Sequence, residues 1–214
     1  LEHSGKQALY GPARTYVPHS EFRNAAGFLQ AEYKLLPTLT AQGGIRREEA
    51  TLRIDTYQTL YRYSRVNVQG GKLRFGETLY NAGLVFTPTE TFNVFGSYSE
   101  GFGMPDVGRV LRSINTPGTS VADLDALEPV LTRNTELGAR VRAGAWQADV
   151  AIFQSRSDLG TRIISVDGAF QMAREKTRIE GLDASVRYQI NDAHGLGLSY
   201  AWTRGRYDSD ADGR

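Results

Sequence analysis

The feature that most limits what this chain can become is a two-residue alternation of apolar and polar side chains that recurs eight times. In residues 27–35, one parity holds Gly27, Leu29, Ala31, Tyr33 and Leu35, and the other holds Phe28, Gln30, Glu32 and Lys34. The same pattern runs through 38–47, 79–87, 92–99, 135–142, 146–155, 179–190 and 195–203. Successive side chains of a strand point to opposite faces, so each segment predicts a strand with one apolar face. Their length, about ten residues, is what a tilted strand needs to cross a bilayer.

The connections between these segments alternate in length. Residues 36–37, 88–90, 144–145 and 191–194 are short, whereas 48–77, 100–133 and 156–177 are long. Turns on one rim and long loops on the other is the layout of an outer-membrane barrel. The expected fold is therefore all-β, an antiparallel meander. Within the second long connection, Val107, Val110, Leu111 and Ile114 fit one face of a short helix.

Periodicity alone does not say which parity meets lipid. A soluble barrel turns its apolar parity inward, and a membrane barrel turns it outward. Two observations favour lipid. Tyr33, Phe86, Phe92, Trp146 and Tyr188 lie near the turns, and Tyr98, Tyr200 and Trp202 lie toward the loops, as interfacial girdles do. Small residues also interrupt the apolar parity, where a dry core would want bulk. Leu84, Val94, Leu137, Val150, Val186 and Leu198 are thus expected outside, and Arg140, Asp183 and Arg187 on the concave side. The first and last strands both place their free ends on the long-loop rim, which is expected of a piece of a larger barrel.

Composition removes other classes. The chain has no cysteine, which excludes disulfide scaffolds, thiolate metal sites and thiol catalysis. His3, His19 and His194 are too scattered for a histidine metal site or a catalytic triad. A net charge of +1 gives no global attraction to nucleic acid. Gly101-Phe102-Gly103 and Gly195-Leu196-Gly197 are not followed by helices as a nucleotide loop requires, and no serine has a histidine partner. No enzyme is expected, and no cofactor.

Three segments resemble TonB-dependent outer-membrane receptors. Residues 94–106, from Val94 through Glu100-Gly101-Phe102 to Pro105-Asp106, resemble that family's strand-to-loop motif. Leu127-Glu128-Pro129 with Asn134-Thr135-Glu136-Leu137-Gly138 resembles the next motif, and Thr177-Arg178-Ile179-Glu180-Gly181-Leu182-Asp183 the third. They stand in the family's order and cover most of residues 25 to 207. Gly103 departs from the basic residue common there. The resemblance implies a 22-stranded transmembrane barrel closed around a plug, of which this chain supplies about eight strands. It also implies the bacterial outer membrane, import of a ferric siderophore or similar metal chelate, and energy from TonB through an N-terminal segment outside these residues. Two other readings stand beside it: a separate eight-stranded outer-membrane barrel of structural or adhesin type, and a soluble ligand-binding β-barrel.

Two groups of residues are candidates for ligand contact. Tyr57, Tyr61, Arg62, Tyr63 and Arg65 lie in the first long connection, where aromatic area and charge-assisted hydrogen bonds suit an anionic chelate. Arg140, Arg142 and Arg187, with Arg46, fall on the polar parity and would line a basic lumen. Pairing with Glu136, Asp149 or Asp183, or with plug residues, is the competing role for these arginines. Residues 208–213 open like a calcium loop but lack its flanking helices, so a solvated acidic loop is expected there.

Overall fold

The computed structural model describes residues 17–60, 63, 65–166 and 169–208. Eight long strands form one antiparallel sheet: β1 (Ser20–Leu36), β2 (Leu39–Ile54), β5 (Gly71–Thr89), β6 (Phe92–Gly103), β7 (Val130–Ala143), β8 (Trp146–Val166), β9 (Ala169–Gln189) and β10 (Gly195–Tyr207). Each pairs with its neighbours in chain order, so the expected meander is present. A separate two-stranded ribbon, β3 (Tyr57–Gln58) with β4 (Asn67–Val68), sits in the first long connection. Helix α1 (Val107–Arg112) lies in the second, followed by two short 3-10 turns at Val121–Asp123 and Asp125–Leu127. Val110 and Leu111 are the buried residues of α1, and the Asp106 side chain caps it by accepting from the Arg109 N–H.

The turns fall where the sequence places them. At the β7–β8 hairpin Ala143 faces Trp146 across Gly144-Ala145, and Gly144 has a φ of 57°. A glycine with positive φ at the first position of a two-residue loop matches the twist of the flanking strands.

The strands run further toward the loop rim than the alternation predicts. β2 continues to Ile54 and β5 begins at Gly71, so the first long connection is 55–70, not 48–77. The third, expected over 156–177, is a hairpin extension in which β8 and β9 pair up to Val166 and Ala169. The physical reason is a change of phase. In the lower part of β2, Leu39, Ala41, Gly43 and Ile45 carry the apolar parity. In the upper part Ala50, Leu52 and Ile54 carry it instead, and all three are buried. β5 inverts likewise, with Leu73 and Phe75 packed inward above an outward series of Tyr80, Ala82, Leu84 and Phe86.

Candidate functional site

The register assigns every strand residue to one of two faces. Outward rows read Leu29–Ile45–Tyr80 in β1, β2 and β5, and Leu137–Ile152–Leu182–Trp202 in β7 to β10. Leu84, Leu137, Val150 and Leu198 are exposed, and no described element covers this face. Val94 and Val186 share it.

The opposite face is concave and polar. Its rows, from the turn rim upward, are Arg142–Gln147–Arg187, Arg140–Asp149–Ser185–Ser199 and Gly138–Ala151–Asp183–Ala201. A recess of about 640 Å³ lies over them, lined by Phe95, Glu136, Arg140, Asp149 and Asp183 among others. Arg140 donates from Nε to Asp149, its direct cross-strand partner, and its guanidinium stands 5.8 Å from the Phe95 ring centroid. Arg46 makes the same kind of arrangement, 2.5 Å from Glu48 and 5.9 Å from the Phe28 centroid.

Above this polar wall the connections fold inward as a roof. Leu52 and Ile54 of β2, Val66 and Val68, Val110, Leu111 and Ile114 at α1, and Val121 and Leu127 form one buried cluster. Leu52 and Ile54 share the parity of Arg46 and Glu48, so the roof covers the concave side. The Tyr57 hydroxyl donates to the Leu111 carbonyl and ties the ribbon to α1. Burial pushes the ionisation of that phenol above the ordinary tyrosine range, so it remains a donor. A bridge between Gln69 and Ser120 adds a second tie.

The candidate residues thus separate into two levels. Tyr57, Tyr63 and Arg65 belong to the roof. Tyr63 accepts a hydrogen bond at its carbonyl from Thr59 Oγ1 (2.9 Å), and Arg65 turns the chain with a φ of 52°. Tyr61 and Arg62 lie outside the described residues. Arg140, Arg142 and Arg187 line the lower wall, the latter two in the row beside the turns. The acidic segment from Asp208 to Asp212 lies outside the described residues after Asp208, and no cluster of metal-ligating side chains occurs among the described residues.

One residue that the sequence reading passed over stands at the roof's edge. Arg174 of β9 donates from Nη2 to the carbonyls of Glu128 (2.6 Å) and Pro129 (3.3 Å). Its Nε and Nη1 are buried without a hydrogen-bond partner, and burial lowers its ionisation from the usual arginine value. The alternation in this strand begins only at 179, so parity gives no signal at Arg174.

Comparison with known proteins gives one consistent result. The family model described as "TonB dependent receptor-like, beta-barrel" matches residues 3–214. The rhizobactin receptor of Rhizobium meliloti (strain 1021) is 23% identical over 94% of this chain and 28% of its own length. The ferric aerobactin receptor of Klebsiella pneumoniae is 26% identical over 82% of this chain and 26% of its own. The chain therefore spans little more than a quarter of these relatives. Among solved structures, the copper transporter OprC superposes with a TM-score of 0.74 at 15% identity, covering 89% of this chain and 30% of that one. The ferric yersiniabactin uptake receptor FyuA from Yersinia pestis superposes with a TM-score of 0.69 at 14% identity, covering 89% and 28%. With the bare apolar face, the polar concave wall and the folded roof, these matches establish that the chain belongs to the TonB-dependent receptor-like β-barrel family of the outer membrane.

Proposed function

We propose that this chain is part of the barrel wall of a receptor that captures a ferric siderophore at the cell surface and imports it with energy supplied by TonB. The observation that carries the reading is the family match across residues 3–214, in a chain whose loops fold over its polar face. Two relatives are named for rhizobactin and ferric aerobactin, which puts a ferric siderophore first among substrates. Chemistry agrees. A ferric chelate is bulky and polar, and it needs a water-lined wall with hydrogen-bonding side chains. Transport then uses binding and release, with no covalent step on these strands.

The roof is the proposed point of first contact. Tyr63 and Arg65 lie in the connection between the two strands of the ribbon, which Val66 and Val68 of the buried cluster anchor. Binding groups are free to vary there while the buried side holds the shape. Arg140, Arg142 and Arg187 belong to the wall below, where they would act after capture.

The test uses the full-length receptor in cells that lack other siderophore receptors. Radioiron carried by aerobactin or by rhizobactin should bind to the cells and accumulate inside only when TonB is present. Cells that display the receptor but bind neither chelate would remove the proposal. Converting Tyr63 and Arg65 to alanine should weaken capture by about one to two decades. That follows from about 1.5–3 kcal/mol for a charge-assisted hydrogen bond and about 1.4 kcal/mol per decade. Unchanged capture by this variant would place the binding groups elsewhere.

A further inference from the structure

Arg174 is the residue whose polar groups are least satisfied. Among the described residues, four side-chain nitrogen or oxygen atoms are buried without a hydrogen-bond partner, and two of them, Nε and Nη1, belong to this arginine. The other two are readily explained. Glu48 Oε2 belongs to a carboxylate whose second oxygen lies 2.5 Å from Arg46 Nε, and Ser157 Oγ is uncharged. A cation taken out of water is costly unless opposite charge and hydrogen bonds surround it. Nη2 of Arg174 donates to the Glu128 and Pro129 carbonyls. Burial shifts the ionisation of Arg174 below the usual arginine value, and the nearby Glu128 carboxylate opposes that shift only in part. Native structures rarely keep buried donors unbonded without a functional reason.

The place of Arg174 in the fold indicates what its donors meet. β8 and β9 run beyond their neighbours as a free arm. β7 pairs with β8 only as far as Arg133 and Arg156, and β10 pairs with β9 only as far as Tyr207 and Thr177. The arm starts at a register shift between Ser157 and Gly160, and such an irregularity bends a strand. Above it, β9 packs against α1 and the 3-10 turn at Asp125–Leu127. Arg174 is therefore held between the arm and the roof. α1 is also the helix to which Tyr57 ties the ribbon, so the arm borders the proposed point of first contact.

The chemistry of the donors selects a ligand group. Nε–H and Nη1–H leave the guanidinium in different directions, so each needs its own acceptor oxygen. Carbonyl oxygens already serve Nη2, and the charge that remains calls for an anion. A guanidinium matches a carboxylate through charge-assisted hydrogen bonds. In a ferric chelate the oxygens that hold iron are engaged by the metal, so this contact falls to carboxylates at the periphery. We propose that Arg174 is a specificity-determining residue of capture, binding a free peripheral carboxylate of the ferric chelate when the arm and the roof part to admit it. This inference rests on the ferric-chelate reading and narrows it to carboxylate-bearing chelates. A neutral chelate of the same shape leaves the buried donors unbonded, and sites of that kind reject such analogues.

The experiment uses the full-length receptor in cells that lack other siderophore receptors. The probes are radioiron aerobactin and the same chelate with its peripheral carboxylates converted to amides. Wild-type receptor should capture the carboxylate form about tenfold more tightly, which is about 1.4 kcal/mol. Arg174→Gln should weaken capture of the carboxylate form by on the order of tenfold and leave the amide form unchanged, so that the preference disappears. Arg174→Lys keeps the charge without the planar group and should retain part of the preference. Surface antibody and heat-modifiable migration on gels report display and assembly of each variant, and the lysine variant carries the comparison if the glutamine variant does not assemble. Equal weakening of both forms would show that Arg174 only braces the arm, and would overturn the proposal. An undiminished preference in the assembled glutamine variant would overturn it too. Capture of rhizobactin but of neither aerobactin form would overturn this inference and leave the receptor reading standing, whereas capture of neither siderophore would overturn that reading.

Discussion

Phe95 and Phe153 stand on the polar parity, where an aqueous wall gives a phenyl ring little to pack on. Each lies across a glycine on the neighbouring strand: Phe95 faces Gly138, and Phe153 faces Gly181. A Cβ added at Gly138 would meet Phe95 Cζ at 2.4 Å and the Val150 carbonyl at 2.8 Å. At Gly181 it would meet Phe153 Cζ at 2.5 Å and the Trp202 carbonyl at 2.6 Å. The glycines provide a bed for the rings, which hide bare backbone and leave the wall smooth. Gly27 differs, because nothing lies within 4 Å of a Cβ built there. Gly138→Val and Gly181→Val should therefore destabilise the full-length receptor by about 1–3 kcal/mol, the usual cost of overpacking. Gly27→Ala should be close to neutral. The gel transition from folded to unfolded barrel in increasing urea reads all three, and equal behaviour would refute the pairing. The alternation put the two phenylalanines on the correct face, but only the register shows that each lies on a glycine.

At the scale of elements, the informative feature is the inversion within β2 and β5. Near the turns the outside is lipid and the inside is water, so the apolar parity points out. Above the membrane the outside is water and the inside is the packed roof, so the parity reverses while the strand continues. A period-two alternation breaks at such a reversal, which is why it assigns 48–54 and 71–77 to the connections. The turns, the strand order, the two faces and the α1 apolar stripe were legible because lipid and local packing impose them residue by residue. The roof was not legible, since Leu52, Val68, Leu111 and Leu127 are far apart in sequence and meet only through the fold. Among the candidate residues, the sequence could not show that Arg140 is held by Asp149, or that Tyr57 is tied to Leu111. Leu52→Ala should cost about 2–5 kcal/mol locally, as for a buried leucine. The expected result is rapid protease cleavage within 55–70 and 104–129, with the strands still resisting digestion. Loops as resistant as in the wild type would mean that the roof does not depend on this cluster.

For the whole molecule, the decisive property is that one face of an eight-stranded sheet is left bare. Leu29 is 72% exposed and Leu198 71%, in a sheet whose other face bears the roof. A contiguous apolar surface of that size is stable only against another apolar phase. The family match supplies that phase in the outer membrane. The two faces then divide the work: one meets lipid, and the other borders the proposed import path. This division also explains how a chain with 23% charged residues can lie across a bilayer. In the lower, membrane-crossing part of the strands each residue faces either lipid or the polar wall, and a single spectroscopic experiment can read both.

That measurement is spin-label accessibility in the full-length receptor reconstituted into bilayers. This chain contains no cysteine, so one can be introduced at Leu84, Leu137, Val150 or Leu198, and in separate samples at Arg142, Asp183 or Arg187. Labels at the first four should relax strongly with oxygen, which concentrates in lipid, and weakly with a water-soluble nickel chelate. Labels at the other three should show the reverse. Oxygen preference at Asp183 and Arg187, together with nickel access at Leu137 and Leu198, would contradict the orientation on which the whole account stands.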